Sequence, residues 1–201
     1  MMRAGRSDAM ARPREFDEAD VIDRAMQQFW SRGYEATSVD DLCAATALNR
    51  SSLYRAFGSK RELLDAALIA YERQSLARIE ALLRAHPIRE GLRLFLLGLL
   101  PDRKTGRAQW GCLIGNCASE LAPHDPAAQK RLRRSLERIG AVLQAALERA
   151  RQAGELSGRI DPEMVAQFLM TQAQGLRLVA KTKPPHGVLD GIVATTLSVL
   201  D

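Results

Sequence analysis

Apolar side chains in this chain recur at steps of three and four, and nowhere do they alternate with polar ones over the length of a strand. Between Asp17 and Arg32 the apolar positions are Val21, Ile22, Ala25, Met26, Phe29 and Trp30, a stripe down one side of a helix. Far along the chain, Leu132, Leu136, Ile139, Leu143, Leu147 and Ala150 repeat the pattern. Breaks fall between such stripes at Gly33, Gly58, His86-Pro87, Pro101, Pro123-His124-Asp125-Pro126, Gly154, Asp161-Pro162 and Pro184-Pro185. Aromatic residues make up only 5% of the chain while Ala, Leu, Arg and Glu dominate, which favours helix over sheet. The expected fold is all-α with about nine helices.

Two of those helices are short and close together. Ser38 with Asp41 reads as a capping box opening a helix near 39–45, and Asn49 caps a second one ending at Phe57. Ser59-Lys60-Arg61-Glu62 opens a long helix after them, ending at His86-Pro87. Further helices are expected over 88–100, over most of 110–121, from about 126 to near 154, from 162 to about 181 and from 188 to 200. A polar loop is expected at 102–107. Two short helices joined by a tight turn, the second rich in Arg and Ser, describe a helix-turn-helix. In that unit the second helix needs a donor-rich outer face, which Arg50, Ser51, Ser52 and Arg55 supply, while Leu53 and Phe57 point inward.

The net charge is +5, but its placement says more than its size. Residues 49–61 hold Arg50, Arg55, Lys60 and Arg61 and no acid; residues 15–41 hold eight acids against Arg24 and Arg32. Residues 1–14, without periodicity, carry Arg3, Arg6, Arg12 and Arg14 against Asp8 and read as a flexible basic arm. Positive charge thus gathers where a phosphate backbone would be met.

The segments Thr37-Ser38-Val39-Asp40-Asp41-Leu42, Leu48 to Phe57 and Gly58 to Leu64 resemble the DNA-binding domain of TetR-type transcriptional regulators, as do Phe29, Gly33 and Tyr34 before them. The resemblance covers about residues 17–65. It implies a homodimeric, all-helical repressor that holds a near-palindromic double-stranded DNA operator and is released by a small-molecule or thiol-reactive effector. The domains expected are the arm at 1–14, the DNA-binding domain at 15–60 and an effector-binding and dimerisation domain at 61–201. Carried over by position, the DNA-contact candidates are Thr37, Arg50, Ser51, Ser52, Tyr54, Arg55 and Lys60, with Tyr54 and Lys60 on phosphates and Arg12 and Arg14 as weaker additions. Where family members usually have Gly this chain has Ala47, and where they have a small residue it has Thr46. The helices over 161–181 and 187–200 would pack across the two-fold through Val165, Phe168, Leu169, Leu176, Leu189, Ile192 and Val193.

Trp110 to Leu121 resembles a segment beside the effector pocket in a TetR subgroup, some of whose members sense oxidants or electrophiles with the cysteine at the position of Cys112. Pocket candidates are Trp110, Cys112, Asn116, Phe168, Gln172 and Gln174. Cys112 and Cys117 lie five residues apart, roughly 140° around a helix, so their thiols face different sides. Buried small hydrophobes remain an alternative for both cysteines, and a satisfied core or interface glutamine for Gln172.

Other chemistry finds less support. His86, His124 and His186 sit beside prolines without ligand-spaced partners, so no metal or cofactor is expected. Lys130-Arg131-Leu132-Arg133-Arg134 reads as a solvated face or a second nucleic-acid surface. Met1 to Arg6 carry charge with no apolar run behind it, so no secretory leader is expected; the apolar run Leu94–Leu100 is too short to span a membrane, and three cysteines suit a reducing cytoplasm. Two rivals stay open: an enzyme with Cys112 or Cys117 as nucleophile, for which no base stands at a recognisable spacing, and a helical scaffold without a DNA role.

Overall fold

Four successive helices begin at a side chain that accepts one of their own free backbone N–H groups. Asp17 caps α1 (Glu18–Arg32), Ser38 caps α2 (Val39–Thr46), Asn49 caps α3 (Arg50–Phe57) and Ser59 caps α4 (Lys60–Ala85). The computed structural model describes residues 16–100 and 110–201. Among them follow α5 (Ile88–Leu97), α6 (Leu113–Leu121), α7 (Pro126–Gln152), α8 (Pro162–Ala180), α9 (Val188–Leu197) and a closing 3-10 turn at Ser198–Leu200, with no strand. The basic arm at 1–14 and the polar loop at 102–107 lie outside the described residues.

The first three helices pack around Phe29, Leu42 and Leu53, all fully buried, and onto Leu63, Leu64 and Ala67 of α4. Burying a side chain of that size contributes roughly 1.5–3 kcal/mol each, enough for these few contacts to fix α3. The long α4 then continues past this cluster to meet α5, α6 and α7, so one rigid element belongs to both halves of the molecule. Beyond it α7 packs on α8, and α9 bridges α5 and α8.

Boundaries differ from expectation where the backbone leaves helical geometry. Ala47, after α2, takes the left-handed conformation at φ 58° and ψ 23°, filling the place of the family's glycine. α5 stops at Leu97, and Leu99 and Leu100 continue as tighter turns bonded to Leu96 and Leu97. α6 begins at Leu113 instead of Trp110, because Gly111 has φ 75° and Cys112 is extended. Four residues expected at a dimer interface, Val165, Leu169, Leu176 and Val193, are instead buried in the protomer's own core. In the basic run of α7, Leu132 is buried, Arg131 pairs with Asp65 at 2.8 Å and Arg133 with Glu137 at 3.5 Å.

Candidate nucleic-acid interface and interior groove

With Leu53 buried beneath it and Phe57 packed on the core, α3 leaves Arg50, Ser51, Tyr54 and Arg55 exposed. Arg50 with Tyr54, and Ser51 with Arg55, form two adjacent rows at helical spacing. Arg55 donates to Ser51 Oγ at 3.4 Å, and Arg50 donates to Asp40 Oδ1 on α2 at 2.9 Å. Both members of the Arg50–Asp40 pair are largely in water, so the pair is weak and Arg50 is free to move to a better acceptor. A phosphate oxygen or the edge of a guanine is such an acceptor.

Lys60 occupies the first position of α4, with Nζ 4.2 Å from the centroid of the Tyr34 ring. That contact steadies the amine beside free N–H groups of the helix start, an arrangement suited to phosphate. Ser52 is partly buried, and its N–H is taken by the Asn49 cap. Thr37 departs from expectation. It is fully buried and its hydroxyl donates to the Gly33 carbonyl at 2.6 Å, so its side chain closes the turn before α2 and does not reach the surface.

A groove of about 430 Å³ runs between α6 and α8, a size common for small-molecule sites. Cys112, Asn116 and Gln174 line it, together with Gly111, Gly115, Ser119, Thr171, Arg177 and Lys181. The two helices come close because position 115 has no side chain: a Cβ there would lie 2.6 Å from Gln174 Oε1. Cys112 caps α6, its Sγ accepting the Gly115 N–H at 3.3 Å. Asn116 is held at both ends, donating to the Trp110 carbonyl at 2.7 Å and accepting from Lys181 Nζ at 2.8 Å. Arg177 donates to Tyr71 Oη at 3.4 Å, and burial, with Cys112 nearby, pushes the Tyr71 phenol up to about 12. Burial, helped by Glu120, likewise pushes the Cys117 thiol up to about 12.

Phe168 and Gln172 lie elsewhere, in a shallower groove of about 370 Å³ between α8 and α9 with Val188, Gly191, Ile192, Thr195 and Thr196. The reason is helical phase, since Gln172 and Gln174 are roughly 200° apart around α8. Trp110 lines neither groove; its ring meets that of Trp30 edge-on at 5.7 Å.

At both its ends the α6 segment is tied to the first helices. Trp30 Nε1 donates to the Gly111 carbonyl at 3.2 Å, and the Glu120 carboxylate accepts the backbone N–H groups of Tyr34 at 3.0 Å and Glu35 at 2.7 Å. Gly33 makes room for that carboxylate: at φ 89° it suits glycine, and a Cβ would sit 3.3 Å from Glu120 Oε2.

Residues 21–67 match the family model of bacterial regulatory proteins of the tetR family, and residues 92–190 match that of the tetracyclin repressor-like C-terminal domain. The chain belongs to the TetR family. Among relatives, the uncharacterized HTH-type transcriptional regulator YezE of Bacillus subtilis (strain 168) is 35% identical over 195 residues, covering 96% of this chain and 100% of that one. The HTH-type transcriptional repressor ComR of Escherichia coli (strain K12) is 29% identical over 188 residues, covering 92% and 90%. The TetR-family regulator CifR, solved as a triple cysteine variant complexed with 26-bp double-strand operator DNA, superposes with a TM-score of 0.83 at 30% identity, covering 95% of this chain and 100% of that one. This TetR-family chain is a DNA-binding transcriptional regulator and not an enzyme.

In the TetR-family chain, Arg177 and Lys181 are the groove residues that the sequence reading passes over. Gln174 signals them weakly, since Arg177 follows it by three residues and Lys181 follows Arg177 by four, on one face of α8. Glu120 belongs to the segment that carries the resemblance, but nothing in the sequence says what it meets, because an acid on a short helix reads as solvated until the Tyr34–Glu35 turn is seen above it.

Proposed function

We propose that this TetR-family regulator is a repressor that holds a near-palindromic double-stranded operator as a homodimer and is released by a small molecule or a thiol-reactive effector in the α6–α8 groove. The observation that carries the reading is the outer face of α3, where Arg50, Ser51, Tyr54 and Arg55 stand exposed with Lys60 close behind. On this reading Arg50, Ser51 and Ser52 lie nearest base edges, Tyr54 and Lys60 hold phosphates, and Arg55 serves either. A dimer would set two such helices in successive major grooves about 34–36 Å apart. Exposed Met164 and Phe168 on α8 and Val188 on α9 supply apolar surface for pairing, as a family dimer through these helices needs.

The division of labour follows the expected boundaries: an arm at 1–14, DNA binding at 15–60, and effector binding and dimerisation at 61–201. No described helix is long and apolar enough to cross a membrane, and a partner of chromosomal DNA works in the cytoplasm. The effector acts by favouring a conformer whose α3 helices are misplaced, and only to the extent that it binds that conformer better. The tie from Glu120 to the Tyr34–Glu35 turn gives the groove a direct line to the helix-turn-helix.

A mobility-shift titration with DNA flanking the chain's own gene tests this. Sequence-selective binding that weakens as salt rises is expected, since each phosphate contact releases counterions. Absence of such binding at every site tried overturns the reading. For the thiol-reactive branch, Cys112→Ser is expected to stay on DNA when an electrophile releases the parent, and equal release of both removes Cys112 from the mechanism.

A further inference from the structure

Three cations and, among the described residues, no acid line the α6–α8 groove and the narrow crevice behind it. Arg177 and Lys181 line the groove. Arg177 also lines the crevice, which lies among α4, α5, α7 and α8 and includes Tyr71, Arg78, Phe95, Ile139 and Met170. None of the residues lining either space is Asp or Glu. The hydrogen-bond partners are neutral: Tyr71 Oη for Arg177 at 3.4 Å and Asn116 Oδ1 for Lys181 at 2.8 Å. Among the described residues no carboxylate pairs with Arg78, Arg177 or Lys181, as far as 4.0 Å between charged atoms.

Elsewhere this chain pairs a cation that it brings inward. Arg61, half-buried, meets Asp125 at 2.8 Å and Asp65 at 3.5 Å, and a buried carboxylate, Glu72, draws in the exposed Arg138 at 2.6 Å. Arg78 and Lys181 are exposed, so Arg177 is the inward-lying cation of this wall, and no carboxylate among the described residues pairs with it. A guanidinium withdrawn from water without a counter-charge carries a desolvation penalty that an incoming anion would relieve. Its bond to Tyr71 is long, so little is lost in giving it up. The rest of the lining is uncharged: Leu136 and Leu178 beside Asn116, Ser119, Thr171 and Gln174 in the groove, and Ile79, Phe95, Ile139 and Met170 beside Ser75 in the crevice.

We infer that the effector of this regulator is an anion, a small carboxylate with an apolar body, whose carboxylate is taken by the Arg177 guanidinium with Lys181 at the rim. The inference rests on the reading of the α6–α8 groove as the effector site. A carboxylate is favoured over a phosphate ester because one planar guanidinium matches a carboxylate in two parallel bonds, whereas a dianion would need more donors than this mostly apolar wall offers.

Matched pairs test it: benzoate and benzamide, phenylacetate and phenylacetamide, octanoate and octanamide, with inorganic phosphate at equal ionic strength as a control. Binding is read from tryptophan fluorescence, since Trp30 bonds to the carbonyl of Gly111 in the groove wall, and operator release from fluorescence anisotropy of a labelled fragment. The expected result is that at least one carboxylate binds roughly ten-fold or more tightly than its amide, the scale of one charge-assisted contact. Arg177→Gln should erase that difference and Arg177→Lys restore part of it. Lys181→Gln, at an exposed position where folding is not at stake, should reduce it by about two- to five-fold. The inference is overturned if no carboxylate binds, if amides or inorganic phosphate bind equally well, or if both neutral variants keep the discrimination. Carboxylate binding without operator release would leave the anion site standing and sink the effector reading. Release by a neutral electrophile through Cys112, with no carboxylate bound, would do the reverse.

Discussion

Glu120 on α6 accepts the backbone N–H of Glu35 at 2.7 Å, joining two residues 85 positions apart across the boundary between the groove helix and the helix-turn-helix. Its other oxygen takes the N–H of Tyr34 at 3.0 Å, so one carboxylate satisfies two adjacent donors of the turn after α1.

Glu120→Gln keeps one acceptor oxygen and turns an N–H₂ group toward a backbone donor. The expected loss is about 1–3 kcal/mol of stability, the range for a donor left unsatisfied in a partly buried site. Operator affinity should fall beyond what the loss of folded protein accounts for, because the turn carries α2 and hence α3. Urea unfolding and operator titration on the same preparation separate the two; unchanged affinity in fully folded Glu120→Gln would show that the tie carries no coupling.

The α3 face predicts two kinds of DNA variant. Arg50→Ala should relax base preference at one position of each half-site, costing about 1–3 kcal/mol there. Lys60→Ala should weaken all sites alike and lower the salt slope by about one. Affinities on an operator and on single-base variants at three salt concentrations distinguish them, and identical behaviour of the two variants would remove the distinction drawn between base and phosphate contacts.

Much of this arrangement was legible in the residues, and the part that was not has a common cause. Leu53 and Phe57 define the inner side of α3, so Arg50, Ser51 and Arg55 had to face out whatever surrounded them. Cys112, Asn116 and Gln174 were grouped together and do share a groove. Helical spacing, however, relates residues within one helix and says nothing of which neighbour each side meets. Phe168 and Gln172 therefore fell on the α9 side of α8, while Arg177 and Lys181 waited on the α6 side. Thr37 failed for a local reason: a hydroxyl near a turn serves a phosphate or the turn's own carbonyl equally well, and Gly33 O claims it.

Ala47 offers a test of backbone strain. Its left-handed conformation at φ 58° costs an L residue roughly 1–2 kcal/mol. Glycine avoids that but loses about 0.5–1 kcal/mol more in conformational freedom on folding. The strain term is the larger, so Ala47→Gly should stabilise the protein by about 0.5–1 kcal/mol. A higher urea midpoint with an unchanged slope is the expected result, and a lower midpoint would mean that the turn holds alanine without strain.

Cys117 links burial to alkaline stability. Burial is the main cause that raises its thiol to about 12, against an ordinary value of 9.0. The raised value belongs to the folded state, so between these limits the folded chain keeps a proton that the unfolded chain has released. The resulting stability is fully present below pH 9.0 and is lost as pH rises toward about 12, at a slope approaching 1.4 kcal/mol per pH unit for one group. Tyr71, raised from 10.0 to about 12, adds to the decline at the upper end. Urea unfolding from pH 8 to 11 should therefore show falling stability, and Cys117→Ala should show a shallower fall whatever its starting level. Iodoacetamide at pH 8 should leave Cys117 unlabelled in the folded protein and label it once urea unfolds the chain. Rapid labelling of folded Cys117, or an unchanged slope in the variant, would show that its thiol is not held protonated by burial.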